Sequence, residues 1–398
     1  MLLLLLVVCS FDVALLVQPE CVIELGCPEC LPEHMPLVTS HRAVDGEMRL
    51  RSGDEIRFSC GAGRLLLDPL RAAVVAVCED GRFRLGHDAS LRHLLELGCQ
   101  EEIFEDVLHT VEHCAAPLQG RAYQLADATQ AVRHLATLCY DEDRGVATMA
   151  HVRGASPLPP HDHARSPLSL LGNFNEMFDA RTRRRAETLY SDEASLNRRL
   201  REIFKHDGVD FAGQTLAGAK LLAESYFEDR YARVSRFASN AVAAWTSVKE
   251  GNLRHLQEDV ARLLAHDPAL EVYAGTHGQG VVRASGARTP LRLIGGRFPV
   301  PRFVWTVVVD RRRRRALAVV VLNDPFVAVS EVREAVFCES ACGRVPWLLS
   351  LRRDRRYETP LYGLAFCCHV HAFSDAVPEM PRALLEDIPA GDAGLLAE

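Results

Sequence analysis

Three short blocks between residues 216 and 257 decide how this chain is interpreted. The first reads Leu216-Ala217-Gly218-Ala219-Lys220-Leu221, and the second reads Asn240-Ala241-Val242-Ala243-Ala244-Trp245. The third reads Lys249-Glu250-Gly251-Asn252-Leu253 and continues as an amphipathic run through Ala265. A few polar side chains stand among small and apolar residues in all three. The order and spacing of the blocks, more than any single residue, carry the interpretation that follows.

The blocks resemble the catalytic stretch of the secreted DNA/RNA non-specific endonucleases, particularly their arthropod branch. In that family they read Leu-Ala-Arg-Gly-His-Leu-Ala-Pro, then Asn-x-x-Pro-Gln, then Asn-x-Gly-x-Trp with a Glu further along. Placed on this chain, the family's Arg falls on Gly218 and its general-base His on Lys220. The Asn of the second block is retained as Asn240. The metal-binding Asn falls on Lys249, and the Glu falls on Gln257.

These substitutions predict a loss of catalysis. A general base that activates water should titrate near the working pH, which suits His, with a pKa of about 6.5, better than Lys, at about 10.4. Lys220 can act as a base only if burial or a neighbouring cation lowers its pKa by several units. The resemblance implies a Mg²⁺ cofactor, but Mg²⁺ requires oxygen ligands and Lys249 offers only an ammonium. We therefore expect no bound Mg²⁺, and we expect Asn240 to be a buried amide bonded to backbone.

Further segments extend the resemblance over about residues 20–373. Glu271–Thr276 is similar to the family's Val-Tyr-Thr-Gly-Thr strand, and Phe298–Trp305 to its Val-Pro-Val-Pro-x-x-x-Trp. Gly53–Cys60 and Phe366–His369 resemble an N-terminal strand and a terminal Cys-Cys pair. The resemblance implies an α+β fold with a ββα-metal nuclease-like core, a mixed sheet flanked by helices, preceded by a small disulfide-rich β domain.

The first 17 residues predict export. Residues 1–17 form an apolar run that Asp12 makes too short and too polar for a membrane span, so a signal peptide is expected. No later run approaches membrane length. We therefore predict a secreted protein that does not associate with a membrane.

Cysteine usage agrees with export. Of 13 cysteines, Cys9 lies in the expected signal peptide, and the even set that remains predicts disulfides. Zinc at Cys27 and Cys30 is the alternative, because this pair has ligand spacing. The disulfide candidates are Cys21, Cys27, Cys30, Cys60, Cys78, Cys99, Cys114, Cys139, Cys338, Cys342, Cys367 and Cys368.

The cysteines also divide the chain, because none lies in the 198 residues between Cys139 and Cys338. A Pro- and His-rich stretch at 156–166 predicts a linker, in which His161 and His163 are expected to be solvated. The predicted organisation, in order, is a signal peptide at 1–17, a cysteine-rich β region at 18–155, the linker at 156–166, a nuclease-like domain at 167–373 and an acidic tail at 374–398.

Periodicity predicts several elements of the larger domain. Leu196–Phe204 and Leu253–Leu264 are predicted as amphipathic helices. Phe303–Val309 and Ala316–Leu322 predict a β-hairpin whose turn is Arg311–Arg315. The stretch Leu216–Phe237 has good helix propensity, whereas the family has a strand and loop there, so this backbone is expected to differ from the family's.

Charge is distributed unevenly along the chain, whose net charge is −7. Residues 111–374 contain 36 basic and 29 acidic side chains, whereas the regions on both sides are acidic. Two basic clusters are candidates for contacting the phosphates of DNA or RNA, with a purely solvated role as the alternative. They consist of Arg181, Arg183, Arg184 and Arg185 in the first, and Arg311, Arg312, Arg313, Arg314 and Arg315 in the second.

Three functions remain open from the sequence. The first is a secreted nuclease-like protein that has lost catalysis and retains nucleic-acid binding. The second is an active Mg²⁺-dependent endonuclease with displaced catalytic groups, and the third is a secreted disulfide-rich interaction protein without a nucleic-acid partner. The second would draw on carboxylates that are otherwise expected to be surface charges on helices, namely Glu224, Glu228, Asp229, Glu258 and Asp259.

Overall fold

The computed structural model shows an α+β chain with several sheets, divided into two compact units. Unit 1 consists of Met1–Glu105 and Leu125–Arg133, and unit 2 of Asp106–Gln124 and His134–Glu398. The expected signal peptide and linker lie outside the described residues. The structure describes residues 20–24, 27–38, 40–41, 47–60, 63–100, 104–108, 114, 119–126, 132–153, 178–190, 192–227, 235–284 and 287–397.

Unit 1 is built on short antiparallel strands. A five-stranded sheet has the order β2-β4-β5-β6-β7, and β1 pairs with β3. Alternating burial along β4 and β5 buries one face of the sheet in a core that includes Phe58 and Phe83. The strands are β1 (Cys21–Glu24), β2 (Leu37–Val38), β3 (Glu47–Leu50), β4 (Glu55–Ser59), β5 (Ala73–Glu79), β6 (Arg82–Leu85) and β7 (Leu91–Arg92).

Unit 2 contains most of an eight-stranded sheet with the order β21-β20-β19-β14-β11-β10-β9-β8. The five pairings from β10 to β21 are antiparallel. Strands β10 and β11 precede the linker in the sequence and belong to this sheet. The strands are β8 (Phe104–Leu108), β9 (Gln119–Ala126), β10 (Val132–Asp141), β11 (Val146–Arg153), β14 (Glu271–Gln279), β19 (Pro301–Asp310), β20 (Arg315–Leu322) and β21 (Ala365–Cys368).

The predicted hairpin at residues 303–322 is confirmed as β19 and β20, which pair from Phe303↔Leu322 to Asp310↔Arg315. Both strands are nearly continuous runs of buried apolar residues. A strand that reads this way is covered on both faces, and here Trp305 and Val307 contribute to a core cluster that the C-terminal segment completes.

Three further two-stranded sheets lie in unit 2, and one of them corrects a prediction. Strand β12 (Leu216–Lys220) pairs antiparallel with β13 (Ala241–Trp245). The helix propensity of the stretch beginning at Leu216 is therefore misleading, because burial of both strands and their mutual pairing outweigh a weak local preference. The other pairs are β15 (Val281–Ala284) with β16 (Ala287–Pro290), and β17 (Arg292–Ile294) with β18 (Arg297–Pro299).

Six α-helices complete the described part of the chain, and two of them confirm the predicted amphipathic helices. Helix α2 covers the first and α4 the second. A π-helical turn at Lys249–Leu253 joins α3 to α4, and Gly251 within it lies so near Tyr362 that an added Cβ would be 2.7 Å from the Tyr362 carbonyl oxygen. The helices are α1 (Ala180–Leu189), α2 (Glu193–Ile203), α3 (Thr246–Val248), α4 (Arg254–His266), α5 (Val332–Ala335) and α6 (Val370–Ala376).

The acidic C-terminal segment packs into the core of unit 2. After α6, the chain forms short 3₁₀ turns, and Leu395 makes a bridge to Ala316 at the start of β20. The Trp347 indole N–H donates to the Leu396 carbonyl oxygen at 3.0 Å. The apolar side chains that this segment buries are Val377, Met380, Leu384, Leu385, Ile388, Leu395 and Leu396.

All 12 candidate cysteines form disulfides in the structure. The Cys27–Cys30 pair is therefore a disulfide here and not a pair of zinc ligands. No helix among the described residues is long and apolar enough to cross a membrane. The pairs are Cys21–Cys78, Cys27–Cys30, Cys60–Cys99, Cys114–Cys139, Cys338–Cys368 and Cys342–Cys367.

Candidate functional site at the β12–β13 hairpin

Asn240 holds together the loop that follows β12. Its side-chain amide donates to the carbonyl oxygens of Leu222 at 2.9 Å and Ser235 at 2.8 Å. Its side-chain oxygen accepts from the Leu222 N–H at 3.0 Å. With the residue 1% exposed, three of its hydrogen-bonding positions are used by backbone. Asn240 is therefore the buried amide bonded to backbone that the sequence favours, and it ties the chain at Leu222 to Ser235.

Lys220, at the end of β12, is bound to a carboxylate. Its Nζ lies 2.5 Å from Oε1 of Glu224, which also accepts from Nε of Arg236 at 2.9 Å. Burial lowers the pKa of Lys220, although the Glu224 carboxylate opposes this. Burial acts to raise the pKa of Glu224, but Lys220 and Arg236 together hold that pKa below its ordinary value. Lys220 therefore belongs to a half-buried cluster of two cations and one carboxylate.

Gly218 cannot carry a longer side chain in this fold. A Cβ added to it would lie 2.4 Å from the Tyr190 carbonyl oxygen and 2.9 Å from the Tyr190 Cβ. Contacts under 3.0 Å require a shift of backbone, and Tyr190 is itself buried at the end of α1. The space beside the Gly218 Cα is therefore occupied by the connection between α1 and α2.

Lys249 is near Lys220 and carries the same charge. Lys249 contributes to lowering the pKa of Lys220, and its Nζ lies 3.5 Å from Glu193 and 3.6 Å from Glu250. Its ammonium therefore occupies the position that the resemblance gives to a Mg²⁺ ligand. In the described part of the chain, the His, Cys, Asp and Glu side chains grouped closely enough to share an ion are Glu24, Cys27 and Cys30. The Lys249 ammonium offers no oxygen ligand and does not fit Mg²⁺ at this position.

Gln257 is hydrogen-bonded to the backbone of Lys220. Its Nε2 donates to the Lys220 carbonyl oxygen at 2.8 Å. The structure thus brings Lys220, Glu224, Lys249 and Gln257 to one place, with Asn240 supporting the loop between them. The chemistry available among the described side chains there is charge pairing and hydrogen-bond donation.

The candidate displaced carboxylates have different environments. Glu224 is bound to Lys220, and Glu258 is an exposed partner of Arg254 at 3.8 Å. The expectation that Asp259 is a surface charge is wrong. Its side chain is fully buried, contacts Arg262, and accepts from the backbone N–H groups of Ser350 and Leu351. Burial raises the pKa of Asp259. Glu228 and Asp229 lie outside the described residues.

The arginines of the β19–β20 turn are paired with acids. Arg311 binds Glu271 at 3.1 Å and Asp387 at 2.9 Å, and Arg313 binds Asp310 at 2.8 Å. Arg312 contacts Asp267, Arg314 donates to the Asp387 carbonyl oxygen, and Arg315 also has a bonding partner. The turn that the sequence presents as a block of positive charge is therefore largely neutralised by acids from distant positions.

The basic cluster on α1 is different. Arg181 and Arg185 are exposed, and neither forms an ion pair with any residue that the structure describes. Arg183 and Arg184 also lie in α1, and their side chains are not described. Helix α1 ends at Leu189, next to the Tyr190 that packs on Gly218, so this cluster lies on the helix adjoining the Lys220 site.

Sequence reasoning missed several residues of this region. No sequence motif marks Arg236 or Tyr190. Arg236 binds the Glu224 carboxylate together with Lys220, and Tyr190 fills the space beside Gly218. Arg198, Arg201 and Lys205 are exposed on and just after α2, and the excess of basic residues in that helix is the signal that was available.

The chain is partly similar to known proteins in sequence and in structure. No protein-family model matches the chain. The salivary protein Tsal1 of Glossina morsitans morsitans is 24% identical over 148 residues, which are 36% of this chain and 35% of that protein. The match thus spans about a third of the curated relative's length. A solved structure of the EndoG/EndoGI complex is similar over 48% of this chain and 73% of that chain, with 13% identity and a TM-score of 0.32. A TM-score of this size does not establish a shared fold.

Proposed function

We propose that this chain is a secreted, nuclease-like protein that does not cleave nucleic acid and that binds DNA or RNA through phosphate contacts. The observation that carries the loss of catalysis is the Lys220–Glu224 ion pair, which lies at the position that the resemblance assigns to the general base. Export is supported by the six disulfides and by the likeness to a salivary protein.

The proposed surface is α1 rather than the β19–β20 turn. Phosphate binding requires cations that are free to replace the counterions of the nucleic acid. Arg181 and Arg185 meet this condition among the described residues, whereas Arg311 and Arg313 are bound to Glu271, Asp387 and Asp310. At the Lys220 site the three cations face three carboxylates, so that site contributes little net charge to binding.

The test is a cleavage and binding assay on the purified full chain. Wild type is incubated with plasmid DNA and with RNA, with Mg²⁺, with Mn²⁺ and with chelator, beside the Lys220→His plus Lys249→Asn double variant. We expect no cleavage by either protein, because neither substitution makes room for an Arg at Gly218, and we expect a gel shift that weakens as salt rises.

Metal-dependent cleavage by wild type would show that catalytic groups have been relocated, and it would overturn the proposal. Absence of both cleavage and a gel shift would instead favour the disulfide-rich interaction protein. A contaminating nuclease is excluded by requiring that any activity co-purify with the chain and respond to the double substitution.

A further inference from the structure

A pocket of about 290 Å³ lies at the other end of the β12–β13 hairpin from Lys220. Trp245 ends β13 opposite Leu216, whereas Lys220 pairs with Ala241 at the far end. Phe326, in the wall of the pocket, packs against Trp245. The side chains that matter below are Phe211, Arg283, Arg288, Arg302, Asp324 and Phe326.

Arg302 and Asp324 bring two opposite charges to this pocket without pairing them. The Arg302 guanidinium lies over the Phe303 ring at 5.2 Å and donates no hydrogen bond to any residue that the structure describes. The Asp324 carboxylate accepts from the Phe326 N–H at 3.0 Å and forms no ion pair within the described residues. A half-buried Arg and a half-buried Asp in one cavity, each with hydrogen-bonding capacity left, favour a ligand that offers an acceptor to one and donors to the other.

The rim of the pocket carries two more cations. Arg283 and Arg288 both contact the single carboxylate of Glu331. Two guanidiniums that share one carboxylate oxygen have N–H groups to spare, since each guanidinium has five donors. An anionic group of a ligand, such as a phosphate, is suited to this rim.

Phe326 supplies an exposed aromatic surface. Its residue is 41% exposed, although it is held by Trp245, whose ring is perpendicular at 4.9 Å, and by Phe211 at 6.5 Å. An aromatic ring fixed by others and open on one side is a stacking surface for a planar ligand.

We propose that this pocket binds one guanine nucleotide. The guanine edge places two adjacent N–H donors opposite a carboxylate, which suits Asp324, and its O6 and N7 acceptors suit the Arg302 guanidinium. The ring stacks on Phe326, and the phosphate meets Arg283 and Arg288. Adenine presents an acceptor to Asp324 in place of a donor, so the carboxylate excludes it. The volume lies just below the range for small-ligand pockets, about 300–1,000 Å³, and is appropriate to a ligand no larger than a single nucleotide.

The inference goes beyond the proposed phosphate-binding surface and does not depend on it. Calorimetric titration of the full chain with GMP, IMP and AMP tests it directly. IMP lacks the 2-amino group, so it should bind about tenfold more weakly than GMP, and AMP about a hundredfold more weakly. Equal affinities for the three nucleotides, or no GMP binding at millimolar concentration, overturn the proposal whatever the gel-shift result for DNA and RNA.

Two variants locate the binding in this pocket. Asp324→Asn should weaken GMP binding at least tenfold and reduce the preference over IMP, and Phe326→Ala should weaken all three nucleotides alike. Glu334→Gln, at an exposed pocket position that the proposed contacts do not use, is the matched control. Circular dichroism shows whether Asp324→Asn is folded, and an unchanged GMP affinity in the folded variant would contradict the assignment. If the variant does not fold, the selectivity of the wild type among GMP, IMP and AMP still tests the proposal.

Discussion

The ammonium of Lys220 lies 2.5 Å from the carboxylate of Glu224, four residues later in the chain. The strand β12 ends at Lys220 and the chain turns at once, so that the two side chains return to the same place. Arg236 binds the same carboxylate oxygen. Glu224 favours the charged form of Lys220, whereas burial and the neighbouring cations Arg236 and Lys249 oppose it and lower the pKa of Lys220 on balance.

Glu224→Gln should destabilise the protein in a pH-dependent way. The pKa of Glu224 is held below its ordinary value of about 4.5, so its contribution is fully present above that unfolded value and is lost as pH falls through the folded one. The loss should be about 2 kcal/mol at pH 7, because Lys220 is left half-buried with its partner removed. Urea unfolding at pH 7 and at pH 3 measures it.

The control for this measurement is Glu250→Gln. Glu250 also contacts a lysine, Lys249, but its side chain is 55% exposed, so the change in unfolding free energy should stay within about 0.5 kcal/mol. A Glu224 variant that behaves like the Glu250 variant would show that the ion pair does not stabilise the site.

Gly218→Ala should destabilise the fold although the change is a single methyl group. The added Cβ would lie 2.4 Å from the Tyr190 carbonyl oxygen, and relief requires movement of β12 or of the α1–α2 connection. We expect a loss of about 2–3 kcal/mol. The control is Gly343→Ala, because nothing lies within 4 Å of the Cβ added there. Thermal unfolding compares the melting temperatures of the two variants. Equal melting temperatures for the two variants would contradict the close approach at Gly218.

The sequence predicted best those elements whose burial pattern is strong and local. The β19–β20 hairpin was predictable because two apolar runs flank a polar turn, and α4 because its apolar positions repeat with helical period. Strand β12 was not predictable from propensity, because its residues Leu216–Lys220 favour a helix in isolation and become a strand through pairing with β13.

The charges were predicted least well, because their partners are distant in sequence. Arg311–Arg315 appears as an unbroken basic run, but Glu271 and Asp387 lie far from it along the chain and neutralise much of it in space. Asp259 looked like a surface residue of an amphipathic helix, but the N–H groups that it accepts from belong to Ser350 and Leu351. Such long-range pairs leave no periodic signal in a single sequence.

Asp259→Asn should therefore be a stability variant without effect on binding. The carboxylate accepts two backbone N–H groups at 2.8 Å each and contacts Arg262, whereas an amide has one acceptor oxygen and would turn its N–H₂ toward a donor. We expect a loss of about 2–4 kcal/mol in unfolding free energy, with unchanged affinity for nucleic acid in protein that remains folded.

The neighbouring Glu258→Gln is the matched control for Asp259. Glu258 lies on the same helix with its side chain 42% exposed, so its substitution should change unfolding free energy by no more than about 0.5 kcal/mol. If folded Asp259→Asn binds nucleic acid more weakly although its unfolding free energy has changed little, the carboxylate takes part in binding and the prediction is wrong.

The disulfides of unit 1 should differ in their effect on stability. The Cys60–Cys99 bond closes a loop with a sequence separation of 39, and removing it as a Cys60→Ala plus Cys99→Ala variant should cost about 4 kcal/mol. The Cys27–Cys30 bond closes a separation of 3, constrains the unfolded chain less, and should cost no more than about 1.6 kcal/mol. Guanidinium unfolding of the two double variants compares them. A larger loss at Cys27–Cys30 would contradict the ordering.

Charge reversal on α1 should weaken nucleic-acid binding more than the same reversal on the β19–β20 turn. The Arg181→Glu plus Arg185→Glu variant removes two exposed cations that have no ion-pair partner among the described residues. If each of them replaces one counterion, the slope of log affinity against log salt should fall by about 2. Affinity is measured by fluorescence anisotropy with a labelled duplex at several salt concentrations.

The matched control reverses Arg312 and Arg313, which lie in the longer basic run. Asp267 contacts both, and Asp310 binds Arg313 at 2.8 Å, so these arginines are already satisfied within the protein. Their reversal should disturb the turn while leaving the salt slope unchanged. The opposite result would be a smaller slope of log affinity against log salt in the turn variant and an unchanged slope in the α1 variant. It would show that phosphates displace the acids of the turn and that the binding surface lies at β19–β20. A wild-type affinity that does not depend on salt would remove phosphate contact from the function altogether, because released counterions are its signature.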